Sequence, residues 1–316
     1  MASKTSAKPV TFEDLDAFLK KRDCVVIEDK KIKLDGARPR KKLQPEEFKL
    51  ETSTVWSFPK RGNWATHKAN FRGNWAPQIA RNIIERYSEP GDTVLDMMVG
   101  GGTTLVECVL TGRKGVGVDI NKDALMVTLD RLKFKRDSDD EQIREAQIDI
   151  FEGDARDLNF IGEDAIDLIA THPPYANIIK YSKKNAKENA GDLSKLNKVE
   201  AFVEQIGAVA DEAYRVLKPG KYCAILIGDT RINKHYVPIA YRVMGQFLKT
   251  GFILKEDIIK AQWNTQTETL WSKLSAKYNF LLILHEHLFI FRKPEAEEKL
   301  KKYKYSMLNG EGEQGE

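Results

Sequence analysis

The sequence predicts an α/β fold built on a doubly wound, mostly parallel seven-stranded sheet, with an antiparallel last strand and a small N-terminal extension. Three observations predict it. Apolar, β-branched runs alternate with stretches of helical period from Thr93 onward. The first run ends in a glycine-rich turn, VGGGTTL (99–105). Four runs end in residues that carry chemistry: Asp96, Asp119, Asp154, and the corner His172-Pro173-Pro174-Tyr175. Ligands of such sheets bind at the carboxyl ends of the strands, so these residues are expected to meet.

TVLDMM (93–98) is the first strand, and TLVECVLTG is a helix that Gly112 ends. GVGVDIN (115–121) is the second strand, followed by the helix KDALMVTLDRLKFK. A charged helix or loop covers 136–147, IDIFEGD (148–154) is the third strand, and AIDLIATH (165–172) the fourth. The helix VEAFVEQIGAVADEAYRVL (199–217) stops at Lys-Pro-Gly, and KYCAILIGD (221–229) is the fifth strand. Then come the helix VPIAYRVMGQFLKTG and the strands FILKEDIIK and FLLILHEHLFIFRK. With only the polar connection 262–279 between those two, one of them runs antiparallel to the rest. Residues 1–54 form the extension: a short helix after Thr11, with Asp14 placed for its cap, then a strand pair from CVVIED and KKIKLDG. Residues 55–294 form the main domain, and 295–316 a charged tail expected to be disordered.

The chain has 316 residues, 41% of them hydrophobic, enough for a sizeable core. No apolar run approaches the ~18 residues of a membrane span, and MASKTSAKPV lacks an apolar signal region, so a cytoplasmic location is expected. Cys24, Cys108 and Cys223 have neither disulfide nor metal spacing and read as reduced thiols. The net charge is only +4, but basic residues concentrate in 37–42, 58–62 and 180–198. Each is by itself an ordinary solvated segment; together they are candidate phosphate contacts. His285 and His287 share one face of a strand, with no third ligand evident in the sequence, so no metal is expected.

The glycine turn can present N–H groups to an anion at a helix start. A phosphate loop needs lysine where Thr103 stands, and a dinucleotide fingerprint needs a third glycine where Leu105 stands. The third competing reading is S-adenosylmethionine: its carboxylate on the turn, its ammonium near Asp96, its ribose hydroxyls on Asp119, its adenine amine near Asp154. At the corner, two prolines fix φ and remove two donors, which leaves rigid carbonyl acceptors. Such acceptors suit an exocyclic amine, whose lone pair is delocalised until its hydrogens are gripped. The Pro173 carbonyl and the His172 side chain are the candidate acceptors, and Tyr175 the stacking face for a flipped base.

VLDMMVGGGTTLVECVLTGRKGVGVDIN and THPPY together resemble the two motifs of the S-adenosylmethionine-dependent DNA amino-methyltransferases, which act on cytosine N4 or adenine N6. The segment HKANFRGNWAPQIARNIIERYSEPGD (67–92) resembles the stretch that precedes the cofactor motif there. The resemblance runs from about Val55 to Lys293, and THPPYANIIKYS is closest to the N4-cytosine branch. It implies a Rossmann-like methyltransferase fold, S-adenosylmethionine as cofactor, and cofactor contacts from Phe71, Asn74, Asp96, Gly100, Gly102, Thr103, Thr104, Asp119, Ile120 and Asp154. It places His172, Pro173, Pro174 and Tyr175 at the reacting base. Two departures stand out: Met97-Met98 replace Pro-Phe, and His172 replaces Ser, Asp or Asn. Methylation at cytosine carbon-5 is excluded, because it needs a Pro-Cys nucleophile and the chain contains none.

The expected partner is DNA, with a cognate restriction endonuclease as a second candidate, no membrane, and a monomer or dimer as the assembly. Target-reading candidates are 176–198 and 262–279, the latter carrying Trp263, Asn264, Gln266 and Trp271. The alternatives to a DNA enzyme are an RNA or protein-amide methyltransferase and a catalytically silent nucleic-acid-binding module.

Overall fold

The computed structural model describes residues 7–27, 30–34, 42–174, 192–193, 196, 198–263 and 268–308. Tyr175, Asn264 and Gln266 lie outside the described residues, as do most of 37–42 and 176–198 and the Trp271 side chain. From the N-terminus the elements are β1 (Lys8–Pro9), α1 (Phe12–Leu19), β2 (Cys24–Ile27), β3 (Lys30–Lys33), β4 (Val55–Ser57) and α2 (Pro77–Tyr87). Next come β5 (Thr93–Asp96), α3 (Thr103–Leu110), β6 (Lys114–Asp119), α4 (Lys122–Arg136), α5 (Glu141–Arg144), β7 (Ile148–Glu152) and β8 (Ile166–Thr171). The last are α6 (Val199–Val216), β9 (Leu217–Ile227), β10 (Thr230–Ile232), β11 (His235–Val237), α7 (Ile239–Thr250), β12 (Ile253–Ala261), α8 (Glu268–Tyr278) and β13 (His285–Arg292).

The main sheet runs β1-β7-β6-β5-β8-β9-β13-β12-β4. Its seven central strands are the seven expected, and β13 is antiparallel to both β9 and β12. Two edge strands are additions: β1 pairs antiparallel with β7, and β4 pairs parallel with β12. They hold two and three residues, too short to show an alternating pattern. The strand order reverses between β5 and β8, and the crevice of a doubly wound sheet opens at such a switch point.

Side-chain alternation divides the core. Val94 of β5 and Leu168 of β8 pack with Ile79 and Ile83 of α2 on one face. Their neighbours Leu95 and Ile169 pack with Phe202 and Ile206 of α6 on the other. The extension joins the first side. Leu15, Val25, Ile32 and Leu34 are buried in one cluster with Leu125, Leu129 and Leu132 of α4. The cap of α1 forms as expected: Thr11 N donates to Asp14 Oδ2 at 2.9 Å.

Two expectations need correction, and one element was not anticipated. The connection 262–279 contains the helix α8. Residues 229–238 hold a hairpin, β10–β11, whose turn residues Asn233 and Lys234 both have positive φ. The segment 295–308 is not a fraying tail. Leu254 N donates to Ser306 O at 2.8 Å, and Arg292 pairs with Glu298 at 2.8 Å. No described helix is long and apolar enough to cross a membrane.

Candidate active site

The glycine turn is built to be approached. Gly100 and Gly102 have φ of +50° and +77°, and Gly102 caps α3. A Cβ on Gly102 would lie 2.8 Å from Thr128 Cγ2, and one on Gly100 3.0 Å from the Phe71 ring. The turn is braced from below. Gly100 N donates to Asp119 Oδ2 at 2.9 Å, Thr128 Oγ1 donates to Gly100 O at 2.9 Å, and Arg131 donates to Gly101 O.

Asp96 is buried under this turn. It accepts from Thr104 Oγ1 at 2.5 Å, Thr171 Oγ1 at 3.1 Å and Met98 N at 3.2 Å. Three of its roughly four acceptor positions are therefore used within the protein. Asp119, half-buried at the end of β6, also accepts from Asn121 N at 2.8 Å, and Ile120 beside it is exposed. Burial pushes both carboxyls up to about 6, against the hydrogen bonds that favour their charged forms. Asp154 follows β7 but is held by Arg156, whose Nε reaches its Oδ1 at 2.9 Å and whose Nη2 reaches its Oδ2 at 2.5 Å. An adenine amine there would have to share that carboxylate.

The segment 58–75 is laid over the turn by buried polar contacts. Glu107 of α3 accepts from Trp64 Nε1 at 2.7 Å, contacts His67 Nε2 at 2.6 Å, and pairs with Arg81 Nη1 at 3.3 Å. Arg61 donates to Asn74 O at 2.9 Å and Trp75 O at 2.7 Å. Arg131 Nη2 donates to Asn70 Oδ1 at 2.9 Å. The result sets Phe71 against Gly100 and Asn74 Oδ1 against the Thr103 hydroxyl. The resemblance pointed to these segments; nothing in the sequence identified Glu107, Arg61 or Arg131 as the residues that join them.

The corner follows β8, the neighbour of β5. His172 and Pro174 are half-buried and Pro173 is buried, and the His172 Nδ1 atom is itself buried. The His172 ring stacks on Trp75 at 5.9 Å with 25° between the planes. Burial, and then the nearby Lys260 charge, push its imidazole down to about 3; a hydrogen bond with the Gly73 backbone opposes them. His172 is therefore neutral near pH 7. A carbonyl that takes one ring N–H fixes the tautomer, so the other nitrogen is of acceptor type. Thr171 joins the two motifs through its 3.1 Å hydrogen bond to Asp96.

A family model described as DNA methylase, covering the N6 and N4 amino-methyltransferases, matches residues 3–129 and 166–315. The chain belongs to the N6/N4 DNA methylase family. Among curated relatives, the type II methyltransferase M.MjaII of Methanocaldococcus jannaschii is 23% identical over 159 residues, 48% of this chain and 28% of that one. A tRNA (guanine(10)-N2)-dimethyltransferase of Methanothermobacter thermautotrophicus is 30% identical over 159 residues, 48% of this chain and 44% of its own. The DNA adenine methyltransferase YhdJ of Escherichia coli is 32% identical over 89 residues, 28% of this chain and 30% of its own. The chain thus spans less than half the length of each of these relatives. A solved phosphoethanolamine N-methyltransferase 2 of Haemonchus contortus, in complex with S-adenosyl-L-methionine, is 16% identical, with a TM-score of 0.41 over 69% of this chain and 52% of that one.

Methylases of the N6/N4 family are S-adenosylmethionine-dependent, and the turn fits that donor. It offers a positive-φ glycine cradle that a Cβ would obstruct and a half-buried carboxylate at the end of β6. The N6/N4 methylase motifs do not include one further feature beside the corner. Lys260 of β12 and Glu286 of β13 are register partners, joined Nζ to Oε2 at 2.6 Å, with Glu286 buried. Burial lowers the Lys260 ammonium and raises the Glu286 carboxyl. An acid inside HEHLF, flanked by apolar strand residues, was the available signal.

Proposed function

We propose that this chain transfers a methyl group from S-adenosylmethionine to an exocyclic amino group of a base in DNA, with cytosine N4 preferred and adenine N6 the alternative. The observation that carries the reading is the Thr171–Asp96 hydrogen bond of 3.1 Å. It fastens the strand that ends in the proline corner to the carboxylate beneath the glycine turn, so the donor and acceptor subsites adjoin. S-adenosylmethionine, when bound, supplies an electrophilic methyl group on a sulfonium centre. Gly100, Gly102, Thr103 and Thr104 form its cradle, Phe71 and Asn74 cover it, and Asp96, Asp119, Ile120 and Asp154 line the strand ends beside it.

Two acceptors grip the amine hydrogens at the corner: the Pro173 carbonyl and the acceptor nitrogen of His172. Their pull returns lone-pair density to the amine nitrogen and stabilises charge as it develops. Pro174 keeps the elbow stiff, and Tyr175 stacks on the flipped base. His172 acts as a hydrogen-bond acceptor and not as a proton store. A nitrogen with a pKa of about 3 releases a transferred proton to solvent at pH 7. Preference for cytosine rests on the sequence around the corner, THPPYANIIKYS. The adenine and RNA readings are motivated by relatives that act on adenine in DNA and on guanine in tRNA.

The test is incubation of the purified chain with tritiated S-adenosylmethionine and separate DNA, RNA and protein substrates, followed by nucleoside analysis. Label recovered as N4-methylcytosine is the expected result. Label as N6-methyladenine moves the assignment to the alternative, label in RNA or protein overturns DNA as substrate, and no label with intact cofactor binding identifies a silent module.

A further inference from the structure

His285 and His287 stand two residues apart on β13 and share the face that meets α7, where the Tyr241 ring lies 4.9 Å from that of His287. Asp229, just beyond the end of β9, rises beside them. One ligand-capable atom from each of the three lies within 4.8 Å of the other two. We propose that Asp229, His285 and His287 bind a divalent transition-metal ion of the zinc type, clipping the end of β9 and the β10–β11 hairpin to β13.

The spacing is the first argument. His287 Nε2 and Asp229 Oδ2 are 3.6 Å apart. That is too long for a hydrogen bond, whose N···O distance runs about 2.7–3.2 Å. Two ligands on one tetrahedral ion, with bonds of about 2.0–2.1 Å, stand roughly 3.4 Å apart.

The second argument is the outer partner. His287 Nδ1 lies 3.0 Å from Asp257 Oδ1 on β12. A metal-binding imidazole characteristically gives its other N–H to a carboxylate, which fixes the tautomer and turns the free lone pair to the ion. Here the other ring nitrogen, Nε2, faces Asp229 Oδ2 across the 3.6 Å gap.

The third is preorganisation. Asp229 Oδ1 accepts from Ala240 N at 2.7 Å, and its Oδ2 accepts from the Tyr236 hydroxyl. The His285 ring meets that of His287 edge-on, with centroids 5.3 Å apart and planes at 75°. Two imidazoles and one carboxylate suit Zn²⁺ and leave a fourth position for water. Asp229 comes from a different stretch of sequence from the two histidines, which is why the sequence around them showed no third ligand.

The test uses the full chain, stripped with a chelator and titrated with Zn²⁺ or Co²⁺ alone. The expected result is one ion per chain, a rise in Tm with Zn²⁺, and the visible absorption of four-coordinate Co²⁺. His285→Ala should weaken binding at least about tenfold, and Asp257→Asn about ten- to a hundredfold. Circular dichroism checks that each variant is folded, and the Co²⁺ spectrum of the unmodified chain decides independently of them. Absence of stoichiometric uptake, an octahedral Co²⁺ spectrum, or equal uptake by a folded His285→Ala chain would overturn the proposal.

Discussion

The glycine turn and the proline corner end adjacent strands, yet they are held in place differently. The carboxylates under the turn are bonded to near neighbours in sequence: Asp96 to Thr104, eight residues on, and Asp119 to Gly100, nineteen residues back. The surroundings of the corner come from far away. Trp75 reaches His172 from the segment before α2, and Lys260 with Glu286 from the last two strands of the sheet. The acids of the donor side are therefore held largely within one βαβ unit, with Thr171 and the segment 58–75 as its distant contacts, whereas the corner takes its surroundings from distant elements. Damage to the first should spoil cofactor binding. Damage to the second should spoil transfer and leave cofactor binding intact.

The sharpest separation should come from His172→Ala. We expect transfer to fall by about a hundredfold or more, the scale for losing one preorganised group at a developing charge, with cofactor affinity unchanged. Equal loss of affinity would place His172 on the donor side. Next in size, Gly102→Ala forces a Cβ to 2.8 Å from Thr128 Cγ2 at a φ of +77°. A cost of about 1–3 kcal/mol in stability is expected, measured by denaturant unfolding, together with loss of S-adenosylmethionine binding by calorimetry.

A pH series sharpens the comparison further. Asp96 and Asp119 have carboxyls raised to about 6, so the charged forms that attract the cofactor are complete only above that pH. S-adenosylmethionine affinity should rise through pH 6 and be about tenfold weaker at pH 5 for each carboxylate involved. Fold stability takes the opposite sign. A raised carboxyl binds more protons folded than unfolded, so its contribution falls as pH rises from about 4 to 6 and is then constant. Affinity flat from pH 5 to 8 would contradict the role given to both acids. His172, near 3, should leave no mark in that range. The smallest effect belongs to Trp263, which is 54% exposed and whose Nε1 lies 3.1 Å from Ser57 Oγ. Trp263→Ala should weaken DNA binding by about 1 kcal/mol, the low end of the range for a base-stacking aromatic, with cofactor affinity unmoved. No change in DNA affinity would remove it from the target surface.

The same contrast explains what could be read from sequence. The seven central strands, the turn and the strand-end acids were legible because period-two runs and glycine spacing are local signals. Glu107, Arg61, Arg131 and Lys260 were not, because a buried ion looks like any surface charge until its partner is known. The β10–β11 hairpin had a signal in Asn233-Lys234, which sits between two short runs of strand-forming residues. The third member of the histidine cluster had none, since Asp229 and His285 approach only through the strand order β9-β13.

The two short rim strands bear on how copies of this chain can associate. A sheet with bare rims invites a second copy to continue it, strand against strand, the usual route to runaway stacking. Here the outermost row on one side is a two-residue strand ending in Pro9, which has no N–H to offer, and on the other a three-residue strand. Among the described residues neither is long enough to template another, so a second copy gains little by continuing the main sheet.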